Sequence, residues 1–136
     1  MRRAFPILLL LLVTGCVKTD LQPFPTVTRI EVHHSTSHPT LTDPTVIAAI
    51  VDFINGERLG WTRSLLFGPE APVPAADINL YDDSGWLGKV SVRSSVLPGG
   101  HALFEIRSRN IRAYKRVEKS EANRFLDVIG VGGELK

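Results

Sequence analysis

From Asp77 to Tyr114 the chain alternates apolar and polar residues in short runs divided by turn residues, the period of a strand with one face on a core. Ile78 and Leu80 alternate with Asn79 and Tyr81, Asp82-Asp83-Ser84-Gly85 supplies a turn, and Val90 and Val92 alternate with Lys89, Ser91 and Arg93. Pro98-Gly99-Gly100 suits a second turn. Ala102, Phe104 and Ile106 then face inward, and Arg107 to Asn110 leads into a last strand at Ile111 to Tyr114. Four strands in succession make an antiparallel meander.

The flanking segments supply a fifth strand and two helices. Thr28, Ile30, Val32 and His34 alternate with Arg29, Glu31 and His33. Asp43-Pro44 opens a helix, since the carboxylate caps free amides and proline at the first helical position loses no hydrogen bond. Val46, Ile47, Ile50, Phe53 and Ile54 give that helix one apolar face, and Asn55-Gly56 ends it. Near the other end Ser120 is the expected cap, Ala122, Phe125, Leu126 and Ile129 form the stripe, and Gly130 is the stop. The expected fold is α+β: a five-stranded antiparallel sheet with two helices on one face, in the order β-α-β-β-β-β-α, its other face toward solvent or a partner. That order is similar to one repeat of the TATA-binding-protein-like fold, an analogy of topology that carries no function. Glu57 to Trp61 matches neither period, and Pro69, Pro72 and Pro74 predict an irregular connection up to Ala76.

The N-terminus has a different character. Arg2 and Arg3 precede an uninterrupted apolar run, Ile7 to Val13, which closes in Val13-Thr14-Gly15-Cys16. The run falls well short of the roughly 20 residues that span a bilayer, so export and removal is its natural use. This stretch resembles the signal peptide and lipobox of a bacterial lipoprotein precursor, and the resemblance covers that segment alone. It implies diacylglycerol on the Cys16 thiol, cleavage between Gly15 and Cys16, and a membrane anchor of two or three acyl chains, enough for stable attachment. It also implies outer-membrane sorting, facing the periplasm, in a Gram-negative source, because Val17 stands where an aspartate would favour the inner membrane. The expected organisation is a signal peptide over 1–15, a lipidated cysteine and tether over 16–26, and one domain over 27–136. Lys18 to Thr26, with Pro23 and Pro25, is expected to run extended and mobile.

Charge follows from this division. The precursor carries 16 basic and 14 acidic side chains; without Arg2 and Arg3 the balance is 14 to 14. The basic excess therefore belongs to the address, and the implied compartment argues against a nucleic-acid partner. A lipidated Cys16 leaves no thiol for a disulfide, so stability must come from packing or a partner.

Three of the four histidines, His33, His34 and His38, lie within six positions. Imidazole is a common ligand of zinc, copper and nickel, but adjacent strand residues point to opposite faces, so His33 and His34 do not readily share an ion. The plainer reading is a solvated loop. Asp82-Asp83 has a sufficient structural cause in its turn, and no Gly-x-Ser-x-Gly, His-Glu-x-x-His or phosphate-cradling motif occurs. An enzyme acting on an envelope polymer would have to start from Asp77, Asp82 and Glu105. Arg107, Arg109, Arg112, Lys115, Arg116 and Lys119 form the strongest local charge bias, suited to an anionic surface or, more plainly, to a solvated edge strand. Trp61, Tyr81, Trp86 and Leu103 are candidate exposed contacts. The expected function is a lipid-anchored binding or assembly module without catalysis, metal or cofactor beyond the lipid on Cys16. Its partner would be an envelope protein or polymer, met through Trp61, Tyr81, Trp86, Arg107, Arg109 and Arg112. The alternatives are a metal-binding lipoprotein using His33, His34 and His38, and the polymer enzyme.

Overall fold

The computed structural model describes residues 17–35, 37–63, 75–94 and 101–132. Eight strands form one antiparallel sheet: β1 (Val17–Thr19), β2 (Arg29–His33), β3 (Thr40–Leu41), β4 (Trp61–Arg63), β5 (Ala76–Asp82), β6 (Gly85–Ser94), β7 (His101–Ser108) and β8 (Arg112–Glu118). Helix α1 (Pro44–Gly56) follows β3, and α2 (Lys119–Val128) follows β8. Across the sheet the order is β1-β4-β8-β7-β6-β5-β2-β3.

The expected five-stranded sheet, its order and the likeness to a TATA-binding-protein-like repeat are therefore corrected. Strands β2, β5, β6 and β7 stand where alternation predicts them, while β8 starts at Arg112 and runs to Glu118, past the expected end at Tyr114; these five form the centre of the sheet. The additional β1, β3 and β4 are two or three residues long, too short to show a period, and extend the sheet at both sides. Pairing brings them into the sheet, β3 on β2, β4 on β8 and β1 on β4, which is a tertiary cause.

The core lies between the helices and one face of the sheet. Ile30, Val32, Ile78, Leu80, Val90, Val92, Ala102, Phe104 and Ile106 alternate onto that face and are buried. Ile47, Ile50 and Ile54 of α1 and Ala122, Phe125 and Leu126 of α2 meet them. Phe53, Phe104 and Phe125 tie both helices to β7, with ring centroids 5.2 to 6.4 Å apart. Asp43 caps α1 as expected, its Oδ1 accepting from the Thr45 and Val46 amides at 2.8 and 3.3 Å. The expected stop at Asn55-Gly56 is displaced to Glu57, which caps the C-terminus. Ser120 does not cap α2: Glu118 occupies that position without a side-chain bond, and Ser120 lies inside the helix. Gly130, at φ +76°, ends α2 as predicted, with the Val131 amide bonded back to the Leu126 carbonyl at 2.9 Å.

The segment expected to be a free tether is packed. Beyond β1 it becomes a strap, with Leu21 buried in the core and the Phe24 ring lying against Gly88. The Leu21 amide donates to the Arg58 carbonyl at 2.8 Å, Asp20 Oδ1 accepts from the Gly60 amide at 3.0 Å, and Asn55 Oδ1 accepts from the Phe24 amide at 2.9 Å. Two apolar side chains and these three hydrogen bonds hold it. No helix among the described residues is long and apolar enough to cross a membrane.

Candidate functional site

The face of the sheet opposite the helices is polar and charged. Arg29, Glu31 and His33 of β2, Asp77, Asn79 and Tyr81 of β5, and Trp86, Lys89, Ser91 and Arg93 of β6 alternate onto it, continued by Leu103, Glu105 and Arg107 of β7 and Arg112, Tyr114 and Arg116 of β8. No contiguous apolar patch lies there: the exposed large hydrophobic residues among those described are Val46 and Leu59, both elsewhere. A binding role for this face must therefore rest on charge.

Its carboxylates are engaged by neighbours. Glu31 Oε2 accepts from the Tyr81 hydroxyl at 2.9 Å, while the Arg29 guanidinium lies 4.2 Å from the Tyr81 ring centre. Asp77 Oδ2 pairs with Lys89 Nζ at 2.6 Å. Glu105 lies between Arg93 and Arg112, at 3.5 and 3.4 Å, and is buried although it stands on the open face. The cations outnumber these partners. Lys89 is directly opposite Arg107, and Arg107 directly opposite Arg112, so three cations form one transverse row across β6, β7 and β8. Lys89 and Arg112 have carboxylates. Arg107, exposed between them, has none among the described residues.

Beside this row, Trp86 and Arg109 border a groove of about 250 Å³ between the β5–β6 and β7–β8 turns, completed by Ser84, Leu87, Ser108 and Asn110. Trp86 is half-buried, and its indole N–H donates to Asn79 Oδ1 at 3.2 Å. Tyr81, Trp86, Arg107, Arg109 and Arg112 thus gather at one end of the sheet. Trp61 does not join them. It is 1 % exposed in the core, and its indole N–H donates to the Glu57 carbonyl at 2.6 Å. Leu103 is half-buried on the open face, opposite Arg116.

Lys115 leaves the expected basic face because of strand parity: it stands with Ala113 and Val117 on the helix side of β8, opposite Phe104. There its Nζ meets Glu57 Oε2 at 2.8 Å and the Glu57 carbonyl at 3.3 Å. Glu121 of α2 shares a hydrogen bond with the Glu57 carboxyl, which pushes Glu121 up to about 7, with burial adding to the effect. Burial would also raise Glu57, but hydrogen bonds from Glu121 and Lys115 hold it below the usual carboxylate value. This carboxyl pair, which motif and spacing did not reveal, could exchange a proton. The adjoining void is about 10 Å³, room for one water at most, so the pair joins α1, α2 and β8 rather than facing a substrate.

The other candidates separate. Asp82 Oδ1 accepts from the Ser84 amide and hydroxyl and the Gly85 amide, at 2.7, 2.6 and 3.0 Å, and the Ser84 hydroxyl chiefly lowers its pKa. That is the turn chemistry expected of it. Asp77 and Glu105 share the open face but stand in different ion pairs. Of the histidines, His33 and His38 come together with ring centroids 5.0 Å apart, while His34 stands on the opposite parity. Among the described residues no three His, Cys, Asp or Glu side chains converge on a possible metal position. Cys16, Ser64, Ser95, the turn at Pro98-Gly99-Gly100 and the connection containing Pro69, Pro72 and Pro74 lie outside the described residues.

Compared with known proteins, the chain matches no family model, and no curated protein or solved structure is significantly similar to it.

Proposed function

We propose that this protein is a lipid-anchored component of a bacterial envelope, modified on Cys16, whose domain is a non-catalytic binding module for an acidic envelope partner. The transverse row Lys89–Arg107–Arg112 carries the reading. Like charges directly opposite one another in a sheet are destabilising by a few tenths of a kcal/mol to about 1 kcal/mol. Such an arrangement suits a surface that an anion completes. Arg109 extends the row toward the Trp86 groove, where a flat indole offers contact area beside a cation. The strap fixes the start of the domain within a few residues of Cys16, so the anchor would hold the domain close to the bilayer.

Two variants of the full-length protein test this. Cys16→Ser is expected to leave the domain folded and shift it from the membrane to the soluble fraction; retention on the membrane would overturn the anchor. In native envelopes, a crosslinked partner is expected to be lost from a folded Arg107→Glu/Arg109→Glu variant and to weaken with rising salt, because exposed charges are screened over about 10 Å at 0.1 M. Capture that ignores both salt and charge reversal would overturn the arginine row as the contact.

A further inference from the structure

We infer that His33 and His38 form a two-imidazole site for a divalent transition-metal ion. The β2–β3 hairpin creates it. Its register sets Ile30 opposite Leu41, Glu31 opposite Thr40 and His34 opposite Ser37. The same register puts His33 opposite His38. The His34 and Ser37 amides and carbonyls exchange bonds of 2.9 and 2.7 Å, and the Val32 amide donates to the Pro39 carbonyl at 2.9 Å. His33 and His38 therefore occupy the intervening non-hydrogen-bonded position, where opposite side chains stand closest. Ser35, at φ +36°, takes the left-handed turn that folds the chain back.

Ring geometry fits one shared ion. With Zn–N bonds of about 2.1 Å and each ring centre about 1.1 Å behind its nitrogen, two imidazoles on a tetrahedral ion have centroids about 5 Å apart. The rings here are 5.0 Å apart and tilted by 51°. His34 contributes nothing, because strand alternation turns it to the other face.

A second observation lies on the far side of His33. Asp77 is its direct partner on β5 and spends Oδ2 on Lys89, while Oδ1 is buried without a hydrogen-bond partner among the described residues. A metal-bound imidazole commonly donates its remaining N–H to a carboxylate. Asp77 is thus a positioning residue for His33, not a third ligand. Water fills the other coordination positions, and imidazole donors select zinc, nickel or copper over magnesium or calcium.

The test is titration of the full-length protein in detergent at pH 7.5 with Zn²⁺, followed by imidazole NMR resonances and by calorimetry. A saturable one-to-one response centred on His33 and His38 is expected. His38→Gln, on an exposed loop, should weaken binding at least about tenfold, Asp77→Asn by a smaller factor, and His34→Gln less than twofold. Magnesium should give no response. Absence of a saturable response overturns the site, as does equal loss in His34→Gln or in His101→Gln, which would indicate a different histidine. If His38→Gln is unfolded by circular dichroism, the resonance assignment in the native protein decides.

Discussion

The two tryptophans separate the core from the surface. Trp61 follows Gly60, whose φ of +73° turns the chain from α1 into β4, and it is driven inward to fill the space beside Phe53, Phe104 and Phe125. Its indole N–H has the Glu57 carbonyl, so burial leaves no polar group stranded. Trp61→Ala is expected to cost about 3–5 kcal/mol, enough to lower the midpoint of thermal or urea unfolding markedly. Trp86→Ala, on the open face, should cost about 1 kcal/mol or less in the same denaturation series. Similar losses for the two would refute the division. A short sequence motif did not separate them: Trp61 closes a stretch of five residues without a period, Glu57 to Trp61, whereas Trp86 sits at a turn whose alternation was legible. Lys115 is a related case: the expected last strand ends at Tyr114, so its parity with Ala113 and Val117 emerges only because β8 runs on to Glu118.

Elements are joined at two places where small groups decide the geometry. Gly88 lets the strap cross β6. A Cβ built there would lie 2.9 Å from the Arg107 carbonyl oxygen and 3.1 Å from the Phe24 ring. Gly88→Ala is expected to destabilise by about 1–3 kcal/mol and to displace the strap, raising hydrogen exchange at the Phe24 and Leu21 amides. Unchanged exchange there would show that Phe24 is not held by this contact. The second junction is Glu57–Glu121 with Lys115. Because Glu121 is raised to about 7 in the folded chain, chiefly by its bond to Glu57, its contribution to stability is complete below the ordinary carboxylate value. It falls as pH rises through that value and is gone above about 7. Glu57, held low, acts in the opposite sense and loses its contribution as pH falls through its lowered pKa. Glu121→Gln keeps a hydrogen-bond donor and cannot ionise, so it should remove the decline between the ordinary carboxylate value and about pH 7 in thermal scans. An identical decline in both proteins would place the titration elsewhere.

In the whole molecule, the helices and the strap cover one face of the sheet, while the other is a layer of ion pairs with a cationic surplus at one end. That asymmetry was visible in outline. Alternation in β2, β5, β6, β7 and β8, the Asp43-Pro44 helix start and the Gly130 stop are local signals, each set by a residue's own backbone preference or by whether its side chain belongs in water. They determined five strands, both helices and most of the core. The strands β1, β3 and β4, the docking of Leu21 and Phe24, the row Lys89–Arg107–Arg112 and the meeting of His33 with His38 depend on cross-strand register and on partners far along the chain. Two or three residues carry no period, and a side chain's charge does not say what stands opposite. The sequence alone determined which segments bury and where they turn. Only the tertiary structure decided which side chains share a neighbourhood, because register is a property of strand pairs.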